Sequence, residues 1–158
     1  KNEVVLEKIS VMDVVNEVLQ NLKSAVERSG ARIAVESEVD EFEGDRVQIV
    51  QLIQNLLSNA LKFTHDTNPQ VTIRCQREDG HVKFSIADNG IGIAASDMAK
   101  VFEIFRRLHT EKVYPGTGIG LAICKKIVDR HGGRIWPESE IGKGTTFHFT
   151  LNEEAGVP

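Results

Sequence analysis

From Arg46 to Phe63 the chain commits to a helix with two unlike faces. At ~100° per residue, Ile49, Ile53, Leu56, Leu57 and Ala60 gather on one side, while Gln48, Gln51, Asn55, Asn59 and Lys62 fall within an arc of roughly 80° on the other. The apolar side must be covered by a sheet or another helix. The amide side is less ordinary. Asn is a poor interior helix former, yet here it occurs twice at i, i+4 on one face. A solvated polar face is one reading. The other is a ligand face, because a solvated face normally carries Glu and Lys, whereas amides and one Lys suit a hard cation and phosphate oxygens. Asp45 precedes the helix as its expected N-cap.

Around this helix the pattern alternates between the two periodicities. Val4 to Val11 reads as a short edge strand. Val14, Val15, Val18, Leu19, Leu22 and Val26 recur at helical spacing until Ser29-Gly30. Ile33 and Val35 alternate, and an acidic loop runs from Glu36 to Asp45. Val71 to Gln76 and His81 to Ala87 form a strand pair about the Asp79-Gly80 turn. A poorly patterned stretch from Ala94 to Gly116 holds a short helix around Met98 to Phe105; a connection this long suggests a lid, with Pro115-Gly116 as its hinge. A third helix, Ile119 to Arg130, stops at Gly132-Gly133. Strands from Gly133 to Glu138 and Thr145 to Leu151 flank Gly142-Lys143-Gly144, and a frayed tail follows Asn152. Three helices and about five longer strands suggest an α/β (α+β) fold, a two-layer α/β sandwich with the helices on one face of a mixed sheet.

Composition narrows the partners. The chain has 158 residues, 41% hydrophobic, which is one domain with material for a core. With 19 Lys and Arg against 23 Asp and Glu it carries a formal charge of -4, so nucleic acid is not an expected partner. No apolar run approaches the ~20 residues that span a bilayer. Lone Cys75 and Cys124 offer neither a zinc spacing nor a disulfide framework, and a reducing cytoplasm fits. The opening Lys1-Asn2-Glu3, without Met or an apolar signal core, suggests a piece of a longer chain, whether soluble or anchored to a membrane.

Three glycine-rich strings complete the pattern. Asp88-Asn89-Gly90-Ile91-Gly92-Ile93 follows a strand, where a carboxylate can accept from an exocyclic amine and the glycines admit a flat ring. Gly116-Thr117-Gly118-Ile119-Gly120-Leu121 opens the third helix, whose amides and dipole make an anion site. It is neither the dinucleotide fingerprint nor a P-loop. Gly142 to Phe147 reads as a hairpin, with Thr145 on the same inward face as Phe147, Phe149 and Leu151. A hydroxyl there needs a partner.

Together these strings resemble the catalytic and ATP-binding domain of sensor histidine kinases, within the superfamily that also holds gyrase, mismatch-repair and heat-shock chaperone ATPases. Asn55 to Thr64 is similar to the family's N box, Asp88 to Ile93 to its first glycine box, and Val101 to Arg107 to its F box. Gly116 to Leu121 matches the second glycine box and Gly142 to Phe147 the third. The stretch from Phe105 to Gly118 is similar to phytochrome-type and hybrid sensor kinases. Pro137 and Ile141 depart from the usual order and bear on the final hairpin alone.

The resemblance implies a Bergerat-type ATP-binding fold over residues 1–152, followed by a tail at 153–158. It implies ATP and Mg²⁺ as ligands, with Asn59 on the metal, Asn55 supporting metal and phosphates, and Lys62 reaching phosphate oxygens. Asp88 would accept from the adenine amine, with Gly90, Gly92, Ile93 and Thr145 shaping the base pocket. Arg107 would approach the γ-phosphate from the lid. Gly116, Gly118 and Gly120 would wrap the phosphates, with Thr117, Ile119 and Leu121 among the nucleotide-binding residues. Asn55, Lys62 and Arg107 form the implied catalytic group.

The phospho-accepting histidine of this family lies on a separate helical hairpin, in a His-Glu-x-x-Thr-Pro-like context. His65, His81, His109, His131 and His148 lack that context and read as structural, His131 toward the last carbonyls of a helix and His148 outward on a strand. The implied partners are therefore the dimerisation and histidine phosphotransfer domain of the same parent and a response regulator receiver domain, with the isolated domain expected to be monomeric. Two alternatives stand beside this kinase reading. A stand-alone ATPase of the superfamily would carry Glu, as a base for water, where Asn55 stands. A nucleotide-sensing module would bind without transfer.

Overall fold

The computed structural model describes residues 4–62, 68–98 and 118–153. The strands among the described residues are β1 (Glu7–Ser10), β2 (Arg32–Ser37), β3 (Glu41–Gly44), β4 (Gln70–Glu78), β5 (His81–Asp88), β6 (Ile135–Glu140) and β7 (Gly144–Asn152). The helices among the described residues are α1 (Val11–Asn21), α2 (Lys23–Ser29), α3 (Arg46–Lys62) and α4 (Gly118–Arg130). A five-stranded sheet has the order β2-β4-β5-β7-β6, and its single parallel pair, β2 with β4, makes it mixed. Pro137 lies on β6, at the sheet edge, where a missing N–H is tolerated.

One face of this sheet is buried and the other is not. Ile73, Phe84, Ile86, Phe149 and Leu151 join Val14, Val18, Ile49, Ile53, Leu56, Leu57, Cys124 and Val128 from the helices in one apolar cluster. Residues between them on β4, β5 and β7, such as Thr72, Ser85 and His148, are half-buried on the opposite face. Phe84 is the centre of an aromatic run. Its ring stacks on Phe149 at 5.0 Å and meets Phe42 edge-on at 5.4 Å. The predicted two-layer sandwich is thus observed.

Two elements differ from the expectation. The acidic loop contains β3, which pairs antiparallel with β1 in a small second sheet, so the first strand is no edge of the main one. Phe42 accounts for this, because it is buried between exposed Glu41 and Glu43 and needs an extended backbone to reach the core. The single helix expected through Val26 is divided at Leu22, where φ is -105 and ψ is 18. Ala25 and Val26 still pack against the core from the second piece. Glu153, just past β7, is held by a two-pronged ion pair to Arg77 at 2.8 and 2.9 Å. A helical turn begins at Ala94, whose carbonyl accepts from Met98 N at 2.8 Å; the remainder of the Met98 to Phe105 helix lies outside the described residues.

The start of α3 is fixed twice. Asp45 Oδ1 accepts from Gln48 N at 3.3 Å, as expected of an N-cap. The backbone N–H of Asp45 donates to His131 Nε2 at 3.1 Å, and His131 Nδ1 donates to Ile127 O, 2.8 Å away in the last turn of α4. One imidazole therefore joins the end of α4 to the start of α3. Only its neutral form can accept from Asp45. His131 is 2% exposed, and burial pulls its pKa below the ordinary 6.5, reinforced by Arg130 and opposed by the bond to Ile127 and the charge of Asp45.

Because the folded value lies below the unfolded one, the unfolded chain binds more protons between them. The contribution of His131 is complete above pH 6.5 and is lost as pH falls from there toward the folded value. Urea denaturation at about pH 8 and about pH 5.5 should show wild type losing more stability on acidification than His131→Gln. Gln can accept from Asp45 N–H and donate to Ile127 O without titrating. Equal losses would place the acid sensitivity elsewhere.

Candidate functional site

A cavity of about 320 Å³ opens between the C-terminal half of α3 and the end of β5, closed by the loop after β5, the start of α4 and the β6-β7 turn. Leu56, Ile86, Ile93, Leu121 and Phe147 give it apolar walls, while Asn59, Asp88, Asp97 and Thr145 supply the polar groups. A mostly apolar slot with a few placed polar groups is the usual form of a small-molecule site.

Its base is built on Asp88. One carboxylate oxygen, Oδ1, accepts from the Gly90 amide at 2.8 Å and from the Thr145 amide at 3.2 Å, so the end of β5 is tied to the start of β7. Asn89 turns away and serves the sheet instead, accepting from Gln70 N at 2.8 Å and donating to Asn68 O at 3.1 Å. The loop after β5 rests on the final hairpin. Ile91 O accepts from Gly142 N at 2.9 Å, and Ser139 Oγ accepts from Ile93 N at 2.7 Å. The contact is close enough to demand glycine. A Cβ on Gly92, whose φ is +78, would sit 2.2 Å from Glu140 O, and one on Gly144 would sit 2.0 Å from Asp88 O. The hydroxyl of Thr145, 8% exposed, has the partner its inward position requires, Ser139 Oγ at 2.7 Å.

The structure brings Asn59, Asp88, Gly92, Ile93, Leu121 and Thr145 to this one cavity. Gly90 is buried behind Asp88, and Gly118, Ile119 and Gly120 open α4 beside Leu121. The amide stripe of α3 divides by depth. Gln48 folds back to Asp45, with Nε2 3.1 Å from Oδ2, and Gln51 is exposed. Asn55 is half-buried beside the Cys124 thiol of α4, which donates to Leu52 O at 3.9 Å and whose pKa burial pushes up to about 12. Asn59 faces the cavity, and Lys62 is exposed at the end of the helix. Arg107, Gly116, Thr117, the F-box run and the lid beyond Met98 lie outside the described residues, as do Phe63 and Thr64. Sequence reasoning misses Ser139. Its signal is the alternation of Ile135, Pro137 and Ser139, which puts a hydroxyl on the inner face opposite Thr145.

Residues 44–155 match the family described as histidine kinase-, DNA gyrase B-, and HSP90-like ATPase. The chain belongs to that family. Within it, this is a histidine kinase ATP-binding catalytic domain. It is 45% identical over 141 residues to the phytochrome-like protein Cph1 of Synechocystis sp., covering 89% of this chain and 19% of that protein. The chain thus spans under a fifth of that relative's length. The catalytic domain of histidine kinase ThkA superposes with a TM-score of 0.79 at 28% identity, covering 95% of this chain and 97% of that one. Full-length ShkA in complex with AMPPNP superposes at 0.80 and 28% identity, with 95% and 31% covered. A further ThkA structure, in complex with response regulator protein TrrA, superposes at 0.76 and 26% identity, with 97% and 43% covered.

The two loop glycines separate strain from crowding. Gly142, with φ +83, has open space within 4 Å of where a methyl group would stand, so Gly142→Ala should cost only the left-handed strain of about 1 to 2 kcal/mol. Gly92→Ala adds a collision with the Glu140 backbone to the same strain. It should therefore be the more destabilising change in chemical denaturation and the more damaging to nucleotide affinity. Equal costs would mean that the loop does not rest on the hairpin as described.

Proposed function

We propose that this catalytic domain binds Mg-ATP in the cavity at the end of β5 and delivers the γ-phosphoryl to a histidine on a separate domain of its parent. The observation that carries this reading is the apolar slot ending at Asp88, with its carboxylate held by the Gly90 and Thr145 amides. Adenine stacks between the apolar walls, and its exocyclic amine donates to Asp88. Gly90, Gly92, Ile93 and Thr145 border the base.

The donor set of the cavity fits a metal that arrives with its nucleotide. Among the described residues no group of three His, Cys, Asp or Glu could hold an ion by itself. Asn59 offers one hard amide oxygen, and Mg²⁺ commonly takes one or two protein ligands, leaving the rest of its octahedron to phosphate oxygens and water. When bound, Mg²⁺ supplies charge neutralisation for the phosphates. Asn55 and Lys62, a turn before and nearly a turn after Asn59, extend the same face toward the phosphates. The amides of Gly116 through Leu121 receive the phosphate anions at the start of α4, and Arg107 meets the γ-phosphate.

Catalysis on this reading is positioning and charge stabilisation. A histidine nitrogen of the partner domain attacks the γ-phosphorus, the bond to the β-γ bridging oxygen breaks, and that oxygen leaves with the electron pair as part of ADP. Among the described histidines, His131 has both ring nitrogens engaged inside the fold, and His148 has Ser85 Oγ at 2.8 Å and Glu138 Oε1 at 2.6 Å. His148 does face away from the helices, as expected of it, yet it is enclosed by these partners and by Trp136 at 5.2 Å. The nucleophile comes from the dimerisation and histidine phosphotransfer domain, and a response regulator receiver domain takes the phosphoryl group next. The isolated domain is monomeric on this reading, with residues 1–152 as its body and 153–158 as its tail. Among the described residues no helix is long and apolar enough to cross a membrane, and the proposed location of the domain is the cytoplasm.

The purified chain should bind ATP and ADP in a Mg²⁺-dependent way and hydrolyse ATP slowly, because the amide of Asn55 cannot act as a base toward water. Rapid phosphate release that Asn55→Ala abolishes would assign a stand-alone ATPase instead. Asn59→Ala should weaken binding in Mg²⁺ far more than in EDTA.

Asp88→Asn keeps the shape of the pocket and converts part of an acceptor into a donor facing the amine. Its expected cost in ATP affinity is about 1.5 to 3 kcal/mol, the range for a hydrogen bond to a charged group. Calorimetry that finds the variant unchanged would remove Asp88 from base recognition.

A further inference from the structure

Ser139 stands where three segments close the base end of the cavity. It lies on β6 in register with Thr145 of β7. Its Oγ is 2.7 Å from Ile93 N, 3.0 Å from Gly144 O and 2.7 Å from Thr145 Oγ1. A hydroxyl has one proton and two lone pairs to share among these three. The Ile93 amide can only donate, and the Gly144 carbonyl can only accept. The single proton of Ser139 therefore goes to Gly144 O, one lone pair takes the Ile93 amide, and the other takes the proton of Thr145. This assignment satisfies all four groups at once, as burial requires. Reversing the Ser139-Thr145 bond would withdraw the proton from Gly144 O and leave only two of the three contacts as hydrogen bonds.

The consequence falls on the ligand. Thr145 has its proton committed to Ser139 and its amide to Asp88 Oδ1, and both residues line the cavity. A carboxylate only accepts, and a threonine hydroxyl whose proton is committed elsewhere also only accepts. We infer that Ser139 is a positioning residue that holds the Thr145 proton away from the cavity, so that Thr145 and Asp88 present only acceptor oxygens and select an aminopurine over an oxopurine. The inference deepens the nucleotide reading above and rests on it. The discrimination is at the six position of the purine: the amine of an aminopurine brings two N–H donors there, one for each oxygen, whereas an oxopurine carries at that position a carbonyl that both oxygens repel. If Ser139 is removed, the Thr145 hydroxyl can turn and donate to that carbonyl.

The test compares the affinities of ATP and ITP for wild type, Ser139→Ala, Ser139→Cys and Ser139→Thr by calorimetry in Mg²⁺. Wild type should favour ATP. Ser139→Ala should reduce the ATP-to-ITP ratio by about fivefold, the worth of one neutral hydrogen bond, and Ser139→Thr, which keeps the hydroxyl, should retain the wild-type ratio. Ser139→Cys keeps the volume with a weaker donor and acceptor, so it should move the ratio the same way as Ala even if the Ala variant fails to fold. A purely structural role would weaken both nucleotides alike and leave the ratio unchanged, which would overturn the inference. Wild type that binds neither nucleotide overturns the nucleotide reading together with it. A wild-type preference for ATP that is insensitive to residue 139 overturns this inference alone.

Discussion

A single carboxylate oxygen of Asp88 takes two backbone amides, one two residues ahead and one 57 residues ahead, and the geometry of the cavity depends on that joint. It forces the chain leaving β5 to turn at once, and it brings the first residues of β7 against that turn. The approach leaves no room for a side chain at Gly92 or Gly144. The β6-β7 turn consequently closes one side of a slot that lies between α3 and the sheet. A charge-assisted bond of this kind holds more firmly than a neutral one, which suits a group that must keep its acceptor in place for a ligand.

The two helices that border the slot are set by a similar joint. α3 begins at a cap that is itself held by His131, and it carries Asn59 to the cavity more than three turns later. α4 begins beside the cavity and ends at His131. Asn55 and Cys124 meet where the two helices cross the core. Any tilt of α3 against the sheet would move Asn59 relative to Asp88. For a reaction that relies on placement and charge, such rigidity is the main thing a protein can supply.

Much of this arrangement can be read from residue order, for identifiable reasons. α3 declares itself because its apolar residues repeat at 3.6 and its cap is an Asp, and β4 and β5 because Asp79-Gly80 separates two alternating runs. Thr145 falls on the inner face because period-2 alternation admits one choice. The strand at Glu41–Gly44 is hidden, since one Phe among acidic residues shows too little alternation to register. The division at Leu22 has neither Gly nor Pro to announce it. Gly92 and Gly144 are visible as glycines, but that each must admit a neighbouring backbone is a fact of tertiary contact. The division of the amide stripe is of the same kind. Spacing places Gln48 and Asn59 on one face, and only the packing of α4 and β5 shows which end meets the cavity.

Transfer to a separate domain is the most direct measure of what the cavity is for. The chain, ATP labelled at the γ-phosphate, Mg²⁺ and the separately produced histidine-bearing domain of the parent can be combined and the products resolved by mass. The expected result is an acid-labile, base-stable phosphoryl group on a histidine of the partner domain, with none on this chain. A phosphoryl group on a histidine within residues 1–158, or steady release of inorganic phosphate with the partner unlabelled, would contradict the assignment.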